Sequence, residues 1–508
     1  MGENGDAYER VASGAAIVLF GNIFGMGLAF LTRIVPARWL STSEYGLFAL
    51  GITILSATAL LGNLGLYEGI ARNIPRSDSP NLVFTTGLLV ATGFSILLGG
   101  IAIFFAPLIA TVLLGREFTP VLRVIGVGIP LMVIIKVITG GFRGKEDAIG
   151  RVITQNFLMR GSVFAFVILY ITFDYGATGA TVGWIIGLAL TVVGGLGLLE
   201  WRNKLISPLS DWKKALTVET IPLLRFSLPL MGAATIWQLL QETDNLFLGY
   251  YLQSADIGVY DAGFTLARLV MLFFWPIGFL LLPVVSDLKA TKDQSEIKRL
   301  YTLITKWMTV LTLPIVLFLI SFPNLIMSTV FSSSFESGGI VLAIISATFF
   351  THIIAGANRQ TLTAIGNSKV VFKGMISALL LNILLNISLI PQFGIKGAAL
   401  ATAISYWLLN IFYNYILYEI IKIQPITWQL IKILAIGSSL FSGVYVLFQY
   451  VIEPTFLWLF IVAVLYTFAY ATAFIFTGGL EERDAELLLQ LNEKIPINIM
   501  PLVQLAKE

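Results

Sequence analysis

Of the 508 residues, 57% are hydrophobic and only 12% charged, where a soluble domain carries roughly 25% charged residues, so water is not the solvent for most of this chain. The formal net charge of +3 is too small to point to a nucleic-acid partner. Cysteine is absent, which excludes disulfides, thiolate catalysis and Cys-ligated metals.

A bilayer-spanning helix needs about 20 mainly apolar residues, and runs of that length recur along the chain. The start carries Glu3, Asp6 and Glu9 and leads into a full-length apolar run, which predicts a retained first helix rather than a cleaved signal. Spans are predicted at 12–31, 45–66, 82–106, 121–141, 152–173 and 178–199; then at 221–240, 257–285, 301–322, 339–358, 370–390 and 396–417; then at 428–450 and 455–476. The predicted fold is an all-α polytopic membrane protein with about 14 transmembrane helices. Its expected organisation is an N-terminal six-helix bundle over 1–200, a cytoplasmic linker over 201–220, a second bundle over 221–420, two appended spans over 421–480, and a cytoplasmic amphipathic tail over 481–508. Loops are short, so no soluble catalytic domain is expected.

Alternate loops differ in basic content. One side holds Arg72, Arg76, Arg143, Lys145, Arg151, Arg202, Lys204, Lys213 and Lys214, with Lys289 to Arg299 further on; the other holds little beyond Arg33, Arg38, Arg116 and Lys396. Lys and Arg mark the cytoplasmic side, so both termini are expected in the cytoplasm. The chain also repeats. Leu40-Ser41-Thr42-Ser43-Glu44-Tyr45-Gly46 aligns with Leu252-Gln253-Ser254-Ala255-Asp256-Ile257-Gly258 at an offset of 212. Arg143 with Ala148-Ile149-Gly150 aligns with Arg359 and Ala364-Ile365-Gly366 at 216, and Gly176, Gly179 and Ala180 with Gly394, Gly397 and Ala398 at 218. Six spans per copy give the two bundles the same orientation, with a cleft expected between them.

No enzyme signature is present: no phosphate loop, no G-x-S-x-G elbow, and a single His352 that is unable to form an H-E-x-x-H site. His352 reads either as a packed, hydrogen-bonded histidine or as a proton-linked switch. Ionisable residues within spans say more, because a charge at mid-bilayer costs at least ~2.5 kcal/mol and faces protein or water. Arg160 lies about 12 Å inside its span and Arg268 is similarly deep, each lining a cavity or holding a structural ion pair. Asp261, seven residues before Arg268, is placed on roughly the same face. Lys136 and Lys306 lie nearer the cytoplasmic boundary, where long side chains snorkel. Glu242, Asp244, Asp256 and Asp261 form an acidic group that binds a coupling cation or proton, or is simply a solvated outer rim. Pro130, Pro229, Pro276, Pro283 and Pro314 are hinges or static kinks. Gly21 with Gly25, and Gly183 with Gly187, have the spacing of close helix packing.

Ala37-Arg38-x-Leu40-x-x-x-Glu44-Tyr45-Gly46-Leu47-Phe48-Ala49, Leu64-Gly65-Leu66 to Ala71-Arg72-x-Ile74-Pro75, Thr243-Asp244-Asn245 with Gly258-Val259-Tyr260, and Phe393-Gly394-x-x-Gly397-Ala398-Ala399 together resemble the polysaccharide flippase family of the multidrug, oligosaccharidyl-lipid and polysaccharide exporter superfamily. The resemblance covers essentially the whole chain. It implies two six-helix bundles around a cavity, alternating access, a location in the cytoplasmic membrane and a polyprenyl-(pyro)phosphate-linked oligosaccharide as substrate, with membrane lipids and glycan-assembly enzymes as partners. Arg268, Arg38, Arg33, Arg160 and Arg72 would attract the phosphate; Asp244, Asp261 and Glu242 would serve coupling or gating, with H+ or Na+ as the coupling ion and no other cofactor. The alternative is a cation-coupled multidrug exporter of the same superfamily, with Asp244, Asp261, Trp237 and Trp275 binding a cationic drug. A membrane glycan polymerase would need long external loops rich in Arg or His, and the external loops here are short and poor in both.

Overall fold

The computed structural model describes residues 2–113, 115–290 and 294–479. The amphipathic tail expected over 481–508 lies outside the described residues. Among those residues the chain is helical throughout, with no strand. That is the outcome lipid demands, because a helix satisfies its own backbone hydrogen bonds where water is absent. Twelve described helices are long and apolar enough to cross a membrane. The runs expected at 221–240 and 257–285 are not among them; they fall on a helix Thr220–Tyr251 and on a helix interrupted at Arg268.

Packing divides the chain into two compact units. Unit 1 comprises Met1–Thr265, Val330–Ser337 and Met375–Ala401. Its helices in chain order are α1 (Gly2–Trp39), α2 (Thr42–Gly62), α3 (Leu66–Asn73), α4 (Pro80–Phe104), α5 (Ala106–Val112), α6 (Thr119–Gly144), α7 (Ala148–Val152), α8 (Arg160–Thr172), α9 (Gly176–Asn203), α10 (Trp212–Lys214), α11 (Thr220–Tyr251) and α12 (Ser254–Ala267).

Local chemistry sets the ends of these helices. Ser41 caps α2 in a capping box: its hydroxyl accepts from the Glu44 N–H while the Glu44 carboxylate accepts from the Ser41 N–H. At the other end, Leu64 and Gly65 turn left-handed, with φ of 49° and 72°, and break the apolar run that was expected to continue to 66. Only glycine fits at 65, where a Cβ would lie 2.1 Å from the Ser227 carbonyl oxygen. A π-helical segment, Ile153–Met159, interrupts the fifth apolar run immediately before Arg160. Small residues bring helices together as their spacing suggests: a Cβ on Gly183 would meet the Phe166 carbonyl oxygen at 2.4 Å, and one on Gly187 the Val163 backbone at 2.6 Å. Leu66, Ile70, Phe84, Val133, Val137 and Phe142 form a core joining α3, α4 and α6.

Unit 2 comprises Leu266–Thr329, Gly338–Gly374 and Thr402–Glu508. Its helices are α13 (Phe274–Ala290), α14 (Gln294–Ser321), α15 (Pro323–Val330), α16 (Gly339–Ile354) and α17 (Asn358–Ala364), then α18 (Ser368–Phe393) and α19 (Ile395–Ile421), which each contribute to both units, and finally α20 (Trp428–Tyr450) and α21 (Phe456–Phe476). Thr427 and Thr455 cap the last two through their hydroxyls. Phe318 of α14 packs edge-on against Phe441 of α20 and Tyr466 of α21, with centroids 5.0 and 5.8 Å apart. Lys306 donates to the Gly479 carbonyl at 3.1 Å.

Candidate functional site: a buried carboxylate network

Within unit 1, α1, α2, α11 and α12 bring four ionisable side chains and their partners into contact. Arg33 donates from Nη1 to Asp261 Oδ2 at 3.0 Å, and the Tyr45 hydroxyl donates to the same oxygen at 2.8 Å. Asn245 reaches Asp261 Oδ1 at 3.4 Å and Thr53 Oγ1 at 3.2 Å. The Thr53 hydroxyl in turn donates to Glu242 Oε2 at 2.9 Å, and Gln238 to Glu242 Oε1 at 3.2 Å. The Arg33 and Asp261 side chains are only 18% and 9% exposed, so the pair is largely removed from water, and an uncompensated member would be costly.

Asp244 occupies a second position on α11. The Tyr260 hydroxyl donates to its Oδ2 at 2.5 Å, and Asn386 and Asn382 donate to its Oδ1 at 2.9 and 3.4 Å. Asn386 also donates to Asn382 Oδ1 at 3.1 Å. Among the described residues, two buried amide oxygens next to these carboxylates, Asn386 Oδ1 and Asn245 Oδ1, have no hydrogen-bond partner. Buried polar atoms are paired in most proteins, so the two orphaned acceptors mark places where a proton donor or cation would be welcome.

Of the residues singled out from the sequence, Arg33, Asp261 and Glu242 meet in one network, and Asp244 sits in its own asparagine-lined position. The others are elsewhere. Arg38 is exposed in the last turn of α1. Arg72 is exposed, with its guanidinium 4.1 Å from the Phe226 ring centroid. Arg160 is half-buried at the start of α8. Arg268 belongs to unit 2 and is exposed, at the head of a 3-10 turn, Arg268–Met271, that ends the helical register running from Asp261. The interruption precedes Pro276, which lacks a backbone N–H and sits in the first turn of α13.

Tyr45, Thr53, Asn245, Tyr260, Asn382 and Asn386 are not site candidates on sequence alone, although Tyr45, Asn245 and Tyr260 stand in the family-like motifs. A signal existed for some of them: Asn382 and Asn386 stand four apart in an otherwise apolar run, which puts two amides on one helix face. Tyr45 and Thr53, eight apart on α2, likewise share a face.

Comparison with known proteins places this geometry in context. The family model described as polysaccharide biosynthesis protein matches residues 35–338. The chain is similar to the probable low-salt glycan biosynthesis flippase Agl15 of Haloferax volcanii, 24% identical over 442 residues that cover 84% of this chain and 89% of that one. It is similar also to the probable flippase AglR of the same organism, 23% identical with 85% and 88% covered. Among solved structures, the lipid II flippase MurJ in an inward closed conformation superposes with a TM-score of 0.69 at 14% identity, covering 90% of this chain and 98% of that one. An inward-facing multidrug resistance transporter of the MATE family superposes with a TM-score of 0.58 at 16% identity, covering 75% and 92%. At such identities the two superpositions show a shared fold.

Proposed function

The chain belongs to the polysaccharide biosynthesis protein family, and from that premise we propose that it is a flippase for polyprenyl-(pyro)phosphate-linked oligosaccharides. The observation that carries the reading is its similarity, along most of its length, to one protein named as a probable low-salt glycan biosynthesis flippase and to another named as a probable flippase. The physics agrees. Sugars and phosphate do not cross hydrocarbon unaided, so a polar path through the protein must shield the headgroup while the lipid tail stays in the bilayer. A multi-pass helical protein with charged side chains set into its apolar helices offers such a path. No covalent chemistry is required, because transport by alternating access only exchanges conformations that face opposite sides.

The buried carboxylates supply the coupling part of the reading. Asp244, with its tyrosine hydroxyl, two asparagines and the orphaned Asn386 oxygen, has the oxygen-rich chemistry that suits a proton or a hard monovalent cation such as Na+. The Arg33–Asp261–Tyr45 cluster, which ties α1, α2 and α12 together, serves as a gating contact. Arg160 in unit 1 and Arg268 in unit 2 are each a candidate contact for the phosphate, and glycan-assembly enzymes are the partners.

Depletion of the protein tests the reading. Lipid-linked glycan accumulating on the cytoplasmic leaflet supports it. An unchanged leaflet distribution together with altered sensitivity to cationic drugs would sink it in favour of a cation-coupled drug exporter.

A further inference from the structure

The helix α6 and the pair α16–α17 carry the same punctuation at the repeat offset. Lys136, Gly140 and Arg143 stand 216 residues before His352, Gly356 and Arg359. In unit 2 the chain itself satisfies His352: its Nδ1 lies 2.9 Å from Asn410 Oδ1, and its ring packs edge-on to Phe274 at 5.2 Å. In unit 1 the equivalent Lys136 is half-buried, and its ammonium has no ion pair or hydrogen bond among the described residues. Four carboxylates of the same unit are engaged elsewhere, Asp261 with Arg33, Glu242 with Thr53, Asp244 with Tyr260, and Glu68 of α3 with Arg143.

The position of Lys136 follows from its neighbours on the helix. Three residues earlier, Val133 lies 3.0 Å from where a Gly62 Cβ would be; four residues later, a Cβ on Gly140 would lie 2.9 Å from the Tyr67 carbonyl oxygen. Lys136 therefore lies on the helix stripe that faces α2 and α3, at the level of the Asn63–Gly65 break between them. At that break the Asn63 side-chain oxygen is buried without a partner among the described residues. Lys136 is also about 10 Å deeper than Arg143 along the helix, too far for its side chain to share that headgroup position. Lys306, by contrast, finds a backbone carbonyl. An unpaired ammonium so placed is expensive, and no counter-charge for it is present among the described residues.

We infer that Lys136 binds an anionic phosphate, the headgroup phosphate of the lipid-linked substrate, at the break between α2 and α3. The inference rests on the flippase reading above and adds to it a contact residue on α6. A lysine ammonium is a compact charge with three donors, suited to phosphate oxygens arriving from different directions as the substrate moves.

The full-length protein in lipid nanodiscs would be titrated with farnesyl diphosphate, farnesol and inorganic pyrophosphate, following affinity and melting temperature. Lys136→Met is expected to weaken farnesyl diphosphate binding about tenfold or more, to leave farnesol binding unchanged, and to melt no lower than the wild type without ligand. Lys136→Arg is expected to keep most of the affinity. A Lys136-dependent effect confined to the prenylated probe identifies a lipid headgroup, and one shared with inorganic pyrophosphate identifies phosphate alone; both support the site. Wild-type affinity in Lys136→Met, or an equal loss for farnesol, overturns it. The flippase reading fails separately: if depletion leaves the leaflet distribution unchanged, that reading falls, whereas full rescue of a depletion phenotype by Lys136→Met overturns only the phosphate site.

Discussion

Gly46 and Gly258, 212 residues apart in the two copies of the repeated motif, lie against each other's helices at reciprocal positions. A Cβ on Gly46 would lie 1.7 Å from the Ser254 carbonyl oxygen, and one on Gly258 2.2 Å from that of Thr42. Thr42 and Ser254 are themselves related by the same offset, so the duplicated sequence closes a pseudosymmetric contact between α2 and α12. The capping is duplicated as well: the Ser41 N–H donates to Glu44, and the Gln253 N–H donates to Asp256.

This crossing is testable because the protein has no cysteine of its own. The Ser43 and Ser254 hydroxyls touch. The double variant Ser43→Cys/Ser254→Cys is expected to cross-link under mild oxidation, read as a mobility shift. Adding Gly46→Leu should abolish the cross-link, since no rotamer avoids the Ser254 backbone, and should cost at least about 1–3 kcal/mol in stability.

The Arg33–Asp261 pair should behave as a buried ion pair. Asp261→Asn leaves the guanidinium uncompensated and is expected to destabilise by about 3–5 kcal/mol, while Tyr45→Phe removes one charge-assisted hydrogen bond, worth about 1.5–3 kcal/mol. Arg33→Met combined with Asp261→Asn should recover part of the loss. Thermal unfolding in detergent across the four-member cycle measures the coupling; strict additivity would contradict the geometry.

For Asp244 the expected outcome concerns coupling rather than folding. In proteoliposomes, flipping by the wild type should respond to an imposed Na+ or proton gradient, and flipping by Asp244→Asn should lose that response. Asn386→Leu should weaken it in the same direction. A gradient response that survives in Asp244→Asn would remove this residue from the coupling role.

Between α6 and α7, Asp147 accepts two hydrogen bonds from Arg202, at 2.6 and 3.0 Å, and one from the Gly150 N–H at 2.8 Å. Burial pushes the Asp147 carboxyl up, but the Arg202 hydrogen bonds, the Gly150 N–H and the Arg202 charge together hold it below the usual carboxylate range. A carboxyl lowered on folding stabilises the fold above its unfolded value of about 3.9 and loses that contribution as pH falls through the folded value. Melting temperatures followed from pH 7 down to pH 3 should therefore fall more steeply for the wild type than for Asp147→Asn. At neutral pH the variant should be less stable by about 1 kcal/mol.

The sequence by itself determined the solvent, the secondary structure and the repeat. In hydrocarbon only a helix satisfies its own backbone, so long apolar runs have one outcome, and the duplicated Glu44-Tyr45-Gly46 and Asp256-Ile257-Gly258 segments could be read without coordinates. It also marked Arg33, Glu242, Asp244 and Asp261, because charge in an apolar run is conspicuous. Partner choice belonged to the tertiary structure. Asp261 lies seven residues from Arg268 and 228 from Arg33, yet Arg33 is the residue it pairs with, since the helix breaks at Arg268 and α1 supplies the guanidinium. Likewise Asn386 meets Asp244 across 142 residues. Helical periodicity fixes which face a side chain occupies, but hydrogen bonds and ion pairs act over about 3 Å, and only the packing of one helix on another brings groups distant in sequence within that range.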